Sequence, residues 1–416
     1  MTDSTASRDA TGIGILRATI TVLVIAFHVA LGYHPFAPPQ FESLRTAPFW
    51  QAFPVVDSDR WHGALWFVAF NDTFFMSLMF LISGLFVWRS LSRKGGARHL
   101  ADRARRLGLP FLVGAALLAP LAYFPSYLQT GAPASWSGFW REWFSLSSWP
   151  AGPAWFLWLL LAFNLVAVAL HAVTRRWHDR LPAVSLRIRP AAAFAVLLAA
   201  SALTYLPLAL AYGPLQWTSI GPFAFQTSRI LHYAVYFGAG IAFGAAGIDR
   251  GLITPGGRLA ARWPAWALLA VLAFGAAFVL AGLDIAAGGT GPWHVASAAG
   301  FVVACAALCF AFLAGFLRVP WPRSRLLDSL RANAYTMYVI HYAIVSWVLY
   351  ALLDVALPGA AKFVLAFAAA LAASWLVAAW LRGCARTGSR AVRPTALDLP
   401  APPVGAGAGQ VNAGLR

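Results

Sequence analysis

The sequence predicts an all-α membrane protein, a polytopic transmembrane helical bundle of about ten helices. Of its 416 residues, 60% are hydrophobic and only 11% are charged, whereas soluble domains carry about 25% charged residues. Apolar runs of roughly 20 residues, the length that crosses a bilayer as a helix, recur along the chain. Basic residues also alternate from loop to loop, as membrane topology requires.

Ten apolar runs are candidate spans. They cover residues 15–34, 66–88, 107–124, 155–173, 191–211, 229–247, 265–283, 295–317, 333–353 and 361–381. Residues 1–12 are polar, and residues 383–416 are rich in Pro, Gly and Ala, so disorder is predicted at both ends. The sequence therefore predicts one membrane domain over residues 13–382, without an internal repeat.

The loops between these spans follow the positive-inside rule. One side of the membrane holds 26 of the 31 Lys and Arg residues. That side is predicted to be cytoplasmic and to hold both termini. The other side carries two long aromatic loops, about 35–65 and 125–154. This distribution explains the net charge of +17, because the basic loops face one surface of the lipid bilayer. The bilayer is therefore the predicted partner of these charges, and no binding of nucleic acid is predicted. The preference for Arg over Lys is typical of a GC-rich bacterial genome and favours a bacterial inner membrane.

The first span contains two ionisable residues, Arg17 near its cytoplasmic end and His28 near its far end. Such residues are costly in a membrane and usually functional. Eleven positions separate them, which is about three turns, so they share one helix face about 16 Å apart. A fixed cation and a proton acceptor in this arrangement suit an elongated anionic substrate. The structural alternatives are a snorkelling anchor for Arg17 and a helix–helix hydrogen bond for His28.

The second span contains Asp72, at a predicted depth close to that of His28. A carboxylate beside a histidine would orient the ring and stabilise its protonated form. The sequence thus suggests an Asp72–His28 pair, and the alternative is a structural hydrogen bond near the helix end. His341 in span nine and His232 in span six could equally be packing residues. No zinc-binding or phosphate-loop motif occurs, so no metal site is predicted.

Three stretches resemble the acyltransferase-3 family of integral membrane acyltransferases. The first is Arg17 and His28 with ten residues between them, and the second is Ser83-Gly84 followed by a basic loop ending in Arg103 and Arg106. The third is Tyr338 with His341 in span nine. Trp155 at the start of span four also fits the family. The resemblance covers about residues 12–382. One departure is Ser77, because many members carry an acidic residue at this position.

The resemblance implies transfer of an acyl group from cytoplasmic acyl-CoA to a hydroxyl of an extracytoplasmic glycan, lipid-linked sugar or similar acceptor. Acyl-CoA would be a cosubstrate, and no permanently bound cofactor is expected. Arg17, Arg103 and Arg106 would bind the CoA phosphates, and His28 would be the general base. Asp72 is the expected catalytic partner of His28. The remaining candidates, with substrate-binding or structural roles, are His341, Tyr338 and Trp155.

Two other functions fit a polytopic chain with few charges. A transporter or exporter would more often show broken helices and a repeat, which this sequence lacks. A non-catalytic lipid-binding or sensory protein would need neither Arg17 nor His28. Energy-coupled movement of a solute would favour a transporter. Loss of activity on replacing His28, in a protein that still folds, would favour an acyltransferase.

Overall fold

The computed structural model describes residues 3–38, 43–44, 55–178, 189–247, 251–322 and 324–391. The described residues are 78% helical with almost no strand, so the all-α prediction is confirmed. Within the described ranges, nine helical segments are long and apolar enough to cross a membrane. The sixth predicted span, 229–247, is a shorter apolar helix over Ile230–Ala245.

Fifteen α-helices follow one another along the described chain. Their bounds are α1 Asp3–Gly32, α2 His62–Gly84, α3 Val87–Lys94, α4 Gly96–Arg103, α5 Leu109–Val113, α6 Ala119–Gln129, α7 Trp136–Trp143, α8 Trp155–His178, α9 Pro190–Tyr212, α10 Ile230–Ala245, α11 Arg258–Ala261, α12 Trp263–Ala286, α13 Gly291–Arg318, α14 Arg325–Ala351 and α15 Gly359–Ala391. Two π-helical turns, Ala104–Gly108 and Gly114–Leu118, join α4, α5 and α6 into one continuous segment. A short antiparallel hairpin, β1 Trp217–Ile220 and β2 Phe223–Gln226, precedes α10.

The chain ends differ from the sequence analysis in part. Helix α1 begins at Asp3, inside the segment 1–12 for which disorder is predicted. Helix α15 continues to Ala391, inside the predicted tail 383–416. Residues 392–416 lie outside the described residues, so the prediction for them stays a prediction.

Helix α1 packs against both α2 and α14. On α1, Leu16 and Ile20 are fully buried, and on α2, Phe74 and Leu78 are fully buried. The direction of α1 places Arg17 at one end of the bundle and His28 towards the other. We call these the basic end and the hairpin end, since β1 and β2 lie beside the cavity that holds His28.

Helix α10 packs against α2 through glycines. A Cβ atom on Gly240 would lie 2.1 Å from the carbonyl oxygen of Leu81, and one on Gly244 would lie 2.0 Å from that of Leu85. Small residues let two membrane helices approach closely. This close packing brings Arg229, which immediately precedes α10, to the level of Asp72 on α2.

A buried ion pair fixes the hairpin end of the bundle. Nζ of Lys362 on α15 lies 2.9 Å from Oδ2 of Asp57 and 2.8 Å from Oδ2 of Asp59. The side chains of Lys362 and Asp57 are 0% and 2% exposed. Residues 57–59, which shortly precede α2, are therefore held against α15 by charge.

Candidate functional site

A cavity of about 440 Å³ opens at the hairpin end. Helices α1, α2 and α14, the hairpin and residues 148–155 all contribute to its wall. Its aromatic wall residues include Phe27, Phe36, Trp149, Trp155 and Trp217, and its polar ones are His28, His34, Asp72, Ser148, Ser219, Gln226, Tyr233 and Tyr338. Four of the predicted site residues, His28, Asp72, Trp155 and Tyr338, thus meet in one cavity.

The hairpin is a part of this cavity that sequence analysis missed. Its turn contains Gly221 in a left-handed conformation, with φ of 56°. Nε1 of Trp158 on α8 donates to the carbonyl of Ala224 at 2.9 Å, and the backbone N–H of Trp149 donates to the carbonyl of Gly221 at 3.3 Å. A Gly-Pro turn between aromatic residues was the available signal.

His28 contacts His341 directly. Nδ1 of His28 lies 3.2 Å from Nε2 of His341 and 2.8 Å from the carbonyl oxygen of Val24. Nδ1 of His341 lies 2.6 Å from the carbonyl oxygen of Tyr338. The residues are 8% and 0% exposed, and His28 but not His341 lines the cavity. Nε2 of His28 makes no hydrogen bond within the described chain and is not enclosed, so it is the ring nitrogen that the cavity can reach.

Asp72 does not pair with His28, and the predicted pair is corrected here. Its Oδ2 instead accepts a hydrogen bond from Nη2 of Arg229 at 2.7 Å, and its backbone carbonyl accepts one from Nη1 of the same residue at 3.2 Å. The physical reason is the close approach of α10 to α2, which brings a full positive charge to the carboxylate. A fixed guanidinium is a stronger partner for a carboxylate than a neutral imidazole.

Arg229 was missed as a site residue because its position before an apolar run resembles that of a loop arginine. Its side chain is 4% exposed, and its guanidinium carbon lies 4.7 Å from the ring centroid of Phe301. A buried charge needs such partners. Its occurrence at the depth of Asp72 was the signal that could have suggested the ion pair.

Tyr338 and Trp155 line the cavity in different ways. The hydroxyl of Tyr338 donates to the carbonyl of Pro153 at 2.6 Å, which joins α14 to the turn before α8. Trp155 packs edge to face on Trp217, with ring centroids 5.5 Å apart, and on the flat side of Tyr233 at 5.8 Å. Tyr338 therefore supports the wall, while Trp155 supplies an aromatic surface to it.

His34 follows the end of α1 and forms part of the rim. Its Nδ1 accepts the backbone N–H of Phe36 at 3.2 Å. Burial, and next the positive charge of Arg60, lower the pKa of His34 below its ordinary value. The ring is therefore neutral at neutral pH, with its proton on Nε2, and adds a hydrogen-bond donor rather than a charge.

A second cavity of about 310 Å³ lies at the basic end. Arg17 of α1 and Arg331 of α14 both line it, with Asp328 beside them. Nη1 of Arg331 lies 3.0 Å from Oδ1 of Asp328. Gly14 allows this arrangement, because a Cβ atom there would lie 2.8 Å from Nε of Arg331. Arg331 was not predicted as a site residue, because in the sequence it lies in a basic loop, two residues before span nine.

Arg103 and Arg106 are not among the residues that line this second cavity. Arg106 lies in the first π-helical turn, and its carbonyl accepts a hydrogen bond from the hydroxyl of Tyr335. Tyr335 is one turn beyond Arg331 on α14, so Arg106 lies next to the basic end without facing the cavity of Arg17.

The two cavities share no lining residue in the described chain. Between them on α1 lies Thr21, whose hydroxyl donates to the carbonyl of Arg17 at 3.1 Å. Cys305 and Cys309 of α13 are fully buried and line neither cavity. The arrangement thus supplies a cationic pocket and a histidine-containing pocket at opposite ends of one helix face.

Comparison with known proteins gives one match. A family model described as an acyltransferase domain, that of the acyltransferase-3 family, matches residues 11–379. No curated protein and no solved structure matches the chain. The matched range includes every residue that lines the two cavities.

Proposed function

The chain belongs to the acyltransferase-3 family, and from this premise we propose that it transfers an acyl group from acyl-CoA to a hydroxyl of an extracytoplasmic glycan, lipid-linked sugar or similar acceptor. The observation that carries the proposal is the placement of Arg17 and His28. Each lines its own cavity, and both lie on one face of α1, about 16 Å apart along the helix axis.

The donor would bind at the basic end. Arg17 and Arg331 offer guanidinium groups that suit phosphate oxygens. Asp328 forms an ion pair with Arg331, and the donor phosphates would compete with it for this guanidinium. Arg103 and Arg106 lie nearby and would add to the positive potential at this end. The pantetheine arm would then run along α1, past Thr21, towards His28.

The acceptor would bind at the hairpin end. Trp155, Trp149 and Trp217 offer aromatic faces on which the apolar face of a sugar ring can pack. Gln226, Ser148 and Ser219 offer side chains that bind hydroxyl groups. A pocket with mostly aromatic walls and a few polar groups is typical of a small-molecule site.

His28 would be the catalytic base in a direct transfer. Its Nε2 takes the proton from the acceptor hydroxyl while the hydroxyl oxygen attacks the thioester carbon. The tetrahedral adduct collapses, the carbon–sulfur bond breaks, and CoA leaves as a thiolate that receives the proton from His28. The products are the acyl ester and free CoA. No covalent enzyme intermediate is required, and neither Cys305 nor Cys309 lines either cavity.

The basic end would face the cytoplasm, where acyl-CoA is found, and both termini would lie there. The charge asymmetry of the loops supports this orientation. The hairpin end would then face the outside of a bacterial inner membrane. Asp72 receives no catalytic step in this scheme, because its carboxylate is already bound to Arg229.

A comparison of cell envelopes tests the proposal. Glycans, lipids and secreted metabolites of a deletion strain would be analysed by mass spectrometry after complementation with wild type or His28→Ala. We expect a mass difference equal to one acyl group that only wild type restores. Restoration by both proteins would remove His28 as the base. The absence of any acyl difference, with folded protein in the membrane, would favour transport instead.

A further inference from the structure

The contact between His28 and His341 joins two helices inside the membrane domain. His28 belongs to α1 and His341 to α14, and their facing ring nitrogens are 3.2 Å apart. The ring centroids are 5.0 Å apart, and the ring of Tyr342 packs on His28 at 5.2 Å. The imidazole of His28 is therefore fixed in orientation by its neighbours from α14.

The hydrogen-bond network assigns the protons of this pair. A backbone carbonyl only accepts, so Nδ1 of His341 carries the proton that it donates to the carbonyl of Tyr338. In a neutral ring, Nε2 of His341 is then an acceptor. Nδ1 of His28 faces this acceptor and the carbonyl of Val24, so it carries a proton shared between them.

One consequence concerns the other nitrogen of His28. With the proton on Nδ1, the lone pair of the neutral ring is on Nε2. This is the nitrogen that the cavity can reach, and it is the atom that must accept a proton in the proposed transfer. The opposite tautomer would place its lone pair against two acceptors and present a proton to the substrate hydroxyl.

His341 differs from a carboxylate at the same position because its neutral ring carries no negative charge. When His28 gains a proton, its Nδ1–H becomes a stronger donor, and Nε2 of His341 accepts it without bringing a fixed negative charge into the apolar interior. The nearby carboxylate, Asp72, is held by Arg229. The dyad can therefore orient and stabilise an imidazolium without an acidic residue.

We infer that His341 is a positioning residue that holds His28 in the Nδ1-protonated tautomer required for proton abstraction. The inference rests on the proposed function and adds a partner for its base. His341 itself has no contact with the cavity. Its replacement should accordingly change the rate of the chemical step and leave donor binding intact.

The test uses membrane vesicles containing the full-length protein, the native acceptor and the acyl-CoA identified in the envelope comparison. His341→Leu removes the acceptor and should lower kcat roughly 10²-fold with an unchanged KM for acyl-CoA. This is less than the roughly 10⁴-fold loss on replacing the orienting aspartate of a catalytic triad, because a neutral imidazole brings no charge to its partner. His341→Gln keeps a side-chain acceptor and should recover most of kcat. His341→Asn, which is polar but too short to reach Nδ1 of His28, should behave like the leucine variant and serves if that variant does not fold.

A double variant separates positioning from a merely structural role. Residues that act as a unit are not additive, so His28→Ala with His341→Leu should be no slower than His28→Ala alone. His294→Gln is the control, because His294 is mostly buried and pairs with Asp284 away from the cavity. Wild-type kcat in His341→Leu and His341→Asn, or a full additive loss in the double variant, would overturn the inference. Wild type without acyl transfer would instead refute the proposed function itself.

Discussion

Oδ2 of Asp72 lies 2.7 Å from Nη2 of Arg229, and the two ends of this ion pair differ in exposure. The Arg229 side chain is 4% exposed, whereas Asp72 is 31% exposed to the cavity. Loss of Asp72 leaves a buried guanidinium without its carboxylate, whereas loss of Arg229 leaves a carboxylate that water in the cavity can hydrate. The pair should therefore respond asymmetrically to mutation.

We expect Asp72→Ala to destabilise the protein more than Arg229→Leu. The cost of the first should be on the order of 2 kcal/mol, below the 3–5 kcal/mol of a fully buried pair, because Asp72 is partly hydrated. The double variant should be close to Arg229→Leu alone. Thermal unfolding of the purified proteins in one detergent measures this order, and equal midpoints for both single variants would contradict it.

Replacement of His28 should slow the chemical step and leave donor binding unchanged. His28→Ala should reduce kcat roughly 10²- to 10⁴-fold, the usual contribution of a general base. The KM for acyl-CoA should remain close to that of wild type, since the donor phosphates bind at the other cavity. Steady-state kinetics in vesicles measures both constants, with His294→Ala as the control. A raised KM with normal kcat would place His28 in binding rather than catalysis.

Arg17 and Arg331 should act together on the donor. Replacement of either by Gln should raise the KM for acyl-CoA about tenfold or more, because a charge-assisted hydrogen bond contributes about 1.5–3 kcal/mol. The effect should weaken as salt is added. Arg318→Gln is the matched control, since Arg318 ends α13 and does not line this cavity. An equal effect of all three variants would indicate general surface charge rather than a site.

The ion pair of Lys362 with Asp57 and Asp59 should govern the local stability of residues 55–61. Lys362→Met leaves Asp57 buried without a cation, which costs about 3–5 kcal/mol for a pair of this burial. Hydrogen exchange over residues 55–61 should rise in this variant. Asp59→Asn should have a much smaller effect, because the Asp59 side chain is 48% exposed. Similar hydrogen exchange in both variants would argue against a stabilising role of the Lys362–Asp57 ion pair.

The sequence predicted the fold class and the helix face that carries Arg17 and His28. It did not predict the contacts that these and other site residues make with neighbouring helices. Helical periodicity placed Arg17 and His28 on one face of α1 without any knowledge of neighbouring helices. It gave Asp72 the right depth but the wrong partner, because periodicity along one helix does not define its rotation against another. The glycines that bring α10 to α2, and with it Arg229 to Asp72, act only once the helices pack.

Three other features depended on tertiary contacts. The His28–His341 contact joins residues 313 positions apart, and the resemblance suggested His341 without its partner. Arg331 reaches the cavity of Arg17 because Gly14 leaves space for it. The hairpin before α10 lies in a segment too short and mixed to compete with the strong helical pattern around it.

The acyl group can be followed directly across the membrane. Inverted vesicles, with their cytoplasmic face outward, would receive acyl-CoA with a radiolabelled acyl group, and label would be counted on acceptor protected inside the vesicles. We expect protected label with wild type, little with His28→Ala, and recovery of the Arg17→Gln rate at high acyl-CoA. Label that appears only on accessible outer material, or equally with His28→Ala, would contradict a donor site and a catalytic base at opposite ends of α1.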